Sequence, residues 1–378
     1  MQAKILILTA SIGAGHMKAA EAIENELKKI NTANRITTID FMSPKISFIN
    51  YLLKEIYLKM LALVPNIYDV CYKISSGGET GSIAQNAFAV IMQPALRKIF
   101  KKIAPDIVVC THPFPEGAIN LYKKYNKMTA PLVAVLTDYS LHQIWLYPRV
   151  DKYFVAIEPM KQEMIKRGYS GKLCVAAGIP VAGGLEKLPD KKFLRQKYKI
   201  AASECVLLLM GGGLGLGDIS STLDELEQLE TKLTLIVIAG HNDKLKQAAD
   251  KFAARSHHKL LVFGYTDKAR ELMKSADLLI TKPGALTISE AFTLGVPLLL
   301  HDPIPGPETE NAIYATKRGA AVWLHPGEKL KNAVVELLTG DKLLAMQKNA
   351  LSCARPQAAN DIAASIMELL SQRHRIKV

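Results

Sequence analysis

Residues 281–311 read TKPGALTISEAFTLGVPLLLHDPIPGPETEN, and their types and spacing suit the capture of a nucleotide. A strand ending at Ile280 feeds a tight Lys282-Pro283-Gly284 turn, and a helix opening at Thr287 carries Glu290 in its first turn. Free N–H groups at a helix start, helped by the helix dipole, hold a phosphate. A carboxylate one turn further in accepts two hydrogen bonds from a ribose diol. A second strand, Val296–His301, then runs into a Pro/Gly-rich loop ending in acids and Asn311.

Five other motifs follow strands. Ser11-Ile12-Gly13-Ala14-Gly15-His16 joins a strand to a helix and puts His16 at a sheet rim, where an imidazole deprotonates a hydroxyl or holds a phosphate. The third glycine of a dinucleotide fingerprint is replaced by Lys18, so that reading is weak. Thr137-Asp138-Tyr139 places a carboxylate after a buried strand, where it serves as a base, orients His16, or simply caps a turn. Thr111-His112-Pro113-Phe114-Pro115 offers His112 to an acceptor site, or is turn chemistry around two prolines. Gly211–Gly217, including Gly212 and Gly213, follows VLLLM, lacks the Gly-Lys-Ser/Thr of a Walker loop, and lets backbone amides approach a pyrophosphate. Phe263-Gly264-Tyr265 can present backbone groups to a pyrimidine edge.

The elements that must position these groups alternate. Strands at 3–9, 36–39, 106–111, 132–137, 153–156 and 173–176 are separated by helices such as Met17–Ile30 and Glu116–Tyr125. The pattern restarts at Val206–Met210 and continues through 233–239, 260–263 and 277–280. Such alternation predicts α/β doubly wound parallel sheets. A length of 378 residues predicts two domains, here 1–180 and 181–355, with a last helix in 356–378 that packs back on the first.

Composition narrows the partners. Five scattered cysteines form no C-x-x-C pair, which argues against a disulfide framework or a zinc site. There is neither a signal-peptide pattern at Met1–Ala10 nor an apolar run of membrane-spanning length. The net charge is +13, and residues 1–185 carry 22 Lys/Arg against 13 Asp/Glu, while 186–378 carry 26 against 22. An anionic partner is expected on the first half. No nucleic-acid-binding motif is present, so nucleic acid is not the expected partner. Segment 43–76 interleaves Lys45, Lys54, Lys59 and Lys73 with Phe48, Leu52, Leu53, Ile56 and Met60 at helical spacing. It suits a helix lying in a membrane interface, or one packed on the sheet.

LTASIGAGH, VLTDYSLHQIW with VDKYFVA, and TKPGALTISEA with PIPGPETENA together resemble glycosyltransferase family 28, in its branch of processive diacylglycerol glucosyltransferases and monogalactosyldiacylglycerol synthases. The resemblance spans nearly the whole chain. It implies the GT-B fold, two Rossmann-like domains facing a central cleft, and inverting, cofactor- and metal-independent transfer from a UDP-hexose, expected to be UDP-glucose, to diacylglycerol. It also implies peripheral attachment to the anionic cytoplasmic face of a bacterial membrane. By matching position, His16 and Asp138 are catalytic, while Gly15, His112 and Trp145 face the acceptor. Gly212, Gly213, Gly264, Tyr265, Lys282, Gly284, Ala285, Leu286, Thr287, Glu290, Glu308 and Asn311 hold the nucleotide sugar. The chain departs from the family at Pro307, where a glutamine is usual, and at Ala285, where a glycine is usual. Pro307 keeps open a UDP-galactose donor, or a UDP-GlcNAc enzyme such as an epimerase or a transferase with another acceptor.

Overall fold

Twelve strands form two parallel six-stranded sheets in the computed structural model, which describes residues 2–63, 89–126, 128–211 and 219–377. The first sheet holds β1 (Lys4–Thr9), β2 (Arg35–Asp40), β3 (Ile107–Cys110), β4 (Leu132–Val135), β5 (Lys152–Val155) and β6 (Cys174–Ala176), in the order β2-β1-β3-β4-β5-β6. The second holds β7 (Cys205–Met210), β8 (Leu233–Ile238), β9 (Lys259–Phe263), β10 (Leu278–Thr281), β11 (Leu298–Leu300) and β12 (Ala321–Trp323), in the order β12-β11-β10-β7-β8-β9. These doubly wound α/β sheets confirm the fold class read from the alternation.

Continuous apolar runs explain why both sheets are buried on two faces. Ile5, Ile7, Val109, Val133 and Val135 pack with Ile23 and Leu27 of the Ala14–Ile30 helix and with Ile362 and Ile366 of the final Ala358–Lys377 helix. Leu207, Leu209, Leu235, Val237 and Ile280 form a separate core with Leu223, Leu226, Val334 and Met346. Contacts accordingly divide the chain into two compact units. One runs to Gly183 and takes in Pro305–Pro307 and the chain from Pro356; the other holds Gly184–Ile304 and Glu308–Arg355.

Several helix starts differ from those expected. The first helix begins at Ala14 rather than Met17, with Gly13 at φ 81° before it, so Gly15 and His16 are helical rather than part of a loop. The helix expected from Thr287 begins at Ala285, which moves Glu290 into the second turn. The expected loop over 307–311 is the start of a Pro307–Lys317 helix, and the helix expected from Glu116 opens at Pro113. Proline breaks a helix interior but suits its first position, where its missing N–H would have no partner. The same residue type therefore reads as a loop marker in sequence and acts as an initiator in the fold.

Candidate active site

In the first sheet β1 lies between β2 and β3, and β3 pairs with β4. The chain winds in opposite directions from this point, and ligands of such sheets bind at the carboxyl ends of these strands. His16 follows β1, His112 follows β3 and Asp138 follows β4, so residues far apart in sequence converge there.

Hydrogen bonding decides what His16 can do. Its Nδ1 lies 2.9 Å from the Thr111 carbonyl oxygen and 2.7 Å from Thr137 Oγ1. A carbonyl only accepts, so Nδ1 carries the proton and Nε2 keeps its lone pair. Thr111 Oγ1 donates back to the His16 carbonyl at 3.1 Å. Burial lowers the His16 pKa below its usual 6.5, while the charge of Asp138 and the Thr111 carbonyl pull less strongly upward. A neutral imidazole with a basic nitrogen results. The groups holding the ring's other nitrogen are Thr111 and Thr137, and Asp138 acts on the ring through its charge.

His112 is the electronic opposite. Its Nδ1 accepts the Phe114 N–H at 3.1 Å and caps the following helix, so the neutral ring carries its proton on Nε2. Its ring meets that of His16 edge-on, with centroids 4.5 Å apart. Burial, then the charge of His16, holds the His112 pKa well below the usual histidine range. His112 thus makes the helix cap and also stands beside the catalytic candidate. Trp145 is buried at the end of a short 3₁₀ turn, opened by His142 in the same capping role.

In the first turn of the helix that His112 caps, Glu116 is fully buried, and neither carboxyl oxygen has a hydrogen-bond partner among the described residues. Burial raises its pKa well above the usual carboxyl range, and its charge adds to the upward shifts of Cys110, Tyr147 and Tyr153. A raised folded pKa means that the folded state holds a proton the unfolded chain has released. Stability is therefore undiminished below the unfolded pKa, and falls by about 1.4 kcal/mol per pH unit from there up to the folded value. Glu116→Gln should melt higher than the parent at pH 8, with the difference closing near pH 4. A difference independent of pH would refute this account.

The second unit repeats the topology. β7 lies between β8 and β10, and β10 pairs with β11, so the turns after β7 and β10 leave the sheet at its own point of reversal. Gly212 and Gly213, after β7, lie outside the described residues. After β10 the Gly284 N–H donates to the Lys282 carbonyl at 2.8 Å, closing a tight turn around Pro283. Asn311 is fully buried and its Nδ2 donates to the Pro283 carbonyl at 3.3 Å, so it secures this turn. Gly284 precedes the Ala285–Leu294 helix with no side-chain cap, while Lys282, Gly284, Leu286 and Thr287 are partly exposed around that helix start. Ala285 is buried with an ordinary helical backbone, so its methyl causes no strain.

Glu290 is buried, and its Oε1 accepts from Arg270 Nε at 2.8 Å. Arg270 lies 20 residues upstream on the short Ala269–Ser275 helix, where no motif or periodicity in the sequence marks it. Gly264 and Tyr265 follow β9, and the exposed Tyr265 ring stacks on His241 with centroids 4.3 Å apart. Glu308 Oε2 accepts the Ile304 N–H at 2.8 Å and stiffens the loop before its own helix. Elsewhere, Glu227, His257 and His258 approach one another as metal ligands would. His258 spends Nδ1 on the Leu233 N–H and Nε2 on the Leu226 carbonyl, and His257 Nε2 donates to the Leu229 carbonyl. This grouping is a structural clasp.

Residues 16–181 match the model of monogalactosyldiacylglycerol (MGDG) synthase, and residues 206–368 match the glycosyltransferase family 28 C-terminal domain. The processive diacylglycerol beta-glucosyltransferase of Bacillus cytotoxicus is 33% identical over 367 residues, covering 97% of this chain and 93% of that protein. The Bacillus licheniformis protein of the same name is 30% identical over 371 residues, with 96% and 94% covered. Among solved structures, MurG of Acinetobacter baumannii superposes with a TM-score of 0.66 at 17% identity, covering 96% of this chain and 99% of its own. Anabaena HepE, solved with UDP and glucose, gives 0.56 at 17% identity, covering 98% and 100%.

Proposed function

Since the chain belongs to glycosyltransferase family 28, in the branch of the processive diacylglycerol beta-glucosyltransferases, we propose that it moves a hexose from a UDP-sugar to diacylglycerol at an anionic membrane surface, with inversion at the sugar. The observation that carries this reading is the 33% identity to a named diacylglycerol beta-glucosyltransferase over 97% of the chain. The geometry of each unit is consistent with it. His16 Nε2 takes the proton of the acceptor hydroxyl as its oxygen attacks the sugar C1. The bond from C1 to the β-phosphate oxygen breaks, and UDP leaves. Its charge is met by the first N–H groups of the Ala285–Leu294 helix and by Lys282. Glu290 holds the ribose, Glu308 is assigned to the sugar, and the buried Asn311 acts by holding the Pro283 turn that precedes the phosphate-binding helix.

The test is UDP release by the purified protein with diacylglycerol in anionic vesicles, run with UDP-glucose, UDP-galactose and UDP-GlcNAc. UDP-glucose should be the preferred donor, with a β-glucosyl lipid found by mass spectrometry. Release of UDP from none of the three would overturn the proposal. Turnover of UDP-GlcNAc without lipid would favour an epimerase, and preference for UDP-galactose would trace to Pro307, the first residue of its helix.

The membrane part of the reading rests on the Phe48–Leu63 helix. Phe48, Ile49, Leu52 and Ile56 are exposed on it at helical spacing, from 47% to 68%, with Lys45 and Lys59 exposed at either end of the stripe. Packing on the sheet does not account for these side chains. Met60 and the stretch 64–76 lie outside the described side chains. Among described residues no helix is long and apolar enough to cross a membrane, and this stripe suits insertion to headgroup depth. Changing Phe48, Leu52 and Ile56 to Ser should weaken vesicle binding by about 3 kcal/mol, taking roughly 1 kcal/mol for each half-immersed side chain. Vesicle flotation measures this, with UDP binding unaltered; undiminished flotation would exclude the helix as the docking face.

A further inference from the structure

The site leaves one charged group without a function. Arg270 stands on the short Ala269–Ser275 helix, two loops away from the motifs that resemble a family signature. Its side chain is one-third exposed, whereas that of Glu290 is 11% exposed. A carboxylate so buried needs a charged or hydrogen-bonded partner. Its ion pair is Arg270 Nε to Oε1 at 2.8 Å, a single-point contact rather than a two-pronged one. The Nε–H points in a fixed direction from the planar guanidinium, so it anchors Oε1, and with Cγ held by the helix the anchored oxygen limits rotation of the carboxylate about Cγ–Cδ. It leaves Oε2 uncommitted to Arg270, and Oε1 retains a second lone pair. A vicinal diol needs two acceptor oxygens side by side at a fixed tilt. The pair therefore presents Glu290 in the form such a diol requires.

We propose that Arg270 is a positioning residue for nucleotide recognition: it orients Glu290 so that both carboxylate oxygens receive the 2′- and 3′-hydroxyls of the ribose. The inference rests on the reading that Glu290 holds the ribose. It adds a residue to the site and a specific consequence: Arg270 governs discrimination for the diol while leaving the rest of the nucleotide's binding untouched. A purely structural role, neutralising a buried acid so that the second unit folds, would instead affect all nucleotides alike.

Calorimetric titration with UDP and with 2′,3′-dideoxy-UDP separates these roles. The parent protein should bind UDP about 30-fold more tightly than the analogue, which offers no hydroxyl to either carboxylate oxygen. Arg270→Leu should weaken UDP by about 10-fold and leave the dideoxy analogue within about two-fold, so the ratio collapses. Arg270→Lys keeps the charge, protects the fold, and loses the fixed plane; it should weaken UDP by about 3-fold with the same indifference toward the analogue. Equal losses for both nucleotides, or an undiminished preference for UDP in the Lys variant, would overturn the proposal. Glu290→Ala in the same titration isolates the underlying reading. If the diol preference survives in that variant, Glu290 does not hold the ribose; if it vanishes there but persists when Arg270 is replaced, the positioning role alone has failed.

Discussion

Replacing His16 with alanine is expected to lower kcat by about 10²–10⁴-fold, the range for losing a general base, while UDP affinity stays within about two-fold. The expectation follows from the tautomer. Because the Thr111 carbonyl fixes the proton on Nδ1, Nε2 is the basic nitrogen, and burial keeps the ring neutral below its usual pKa. The acid limb of the kcat profile should accordingly lie below pH 6.5, where His16 becomes protonated and inactive. Asp138→Asn gives a second reading of the same group. The Asp138 charge is the largest influence raising the His16 pKa, so its removal should move the acid limb to still lower pH. An acid limb above pH 7, or His16→Ala retaining more than a tenth of parental kcat while Asp138→Asn abolishes it, would transfer the base to Asp138.

Glu290→Ala should weaken UDP binding by about 2–3 kcal/mol, roughly 30- to 150-fold, because two hydrogen bonds to a charged acceptor disappear. Glu290→Gln keeps the volume and one acceptor oxygen, and should lose about ten-fold. The graded pair distinguishes a ribose contact from a packing effect, since glutamine would restore packing almost fully. Unchanged affinity in both variants, measured by titration on protein shown to be folded, would remove Glu290 from the nucleotide site. Glu290 lies in the second turn of its helix, buried and held by its ion pair with Arg270, so its carboxylate keeps one position.

Much of the architecture was legible because it depends on local pattern. Runs such as ILIL within the first strand and CVLLLM are apolar throughout, as strands covered on both faces must be, and the amphipathic spacing of Ala19, Ala20, Ile23 and Leu27 marks the first helix. Helix starts were less legible at Pro113, Pro307 and Ala285, since proline and glycine have opposite meanings on either side of a helix boundary. The exposed stripe on Phe48–Leu63 had two readings in sequence, because periodicity identifies an apolar face without saying what covers it.

By itself the sequence determined the alternation as far as the eleventh strand, the two sheets, and which strand ends carry His16, His112, Asp138 and the Lys282–Glu290 turn; the short Ala321–Trp323 strand carries no comparable apolar run. Each strand of a parallel sheet ends at the same edge, so a residue's distance past its strand already assigns it to that edge. Only the tertiary structure decided which side chains meet there. His16 Nδ1 finds partners 95 and 121 residues away because β3 lies beside β1 and β4 beside β3. Asn311 reaches Pro283 and Arg270 reaches Glu290 across helices that no periodicity relates. Strand order and side-chain direction are settled by packing of the whole unit, so the proton's place on His16 and the plane of Glu290 become known only once the chain is folded.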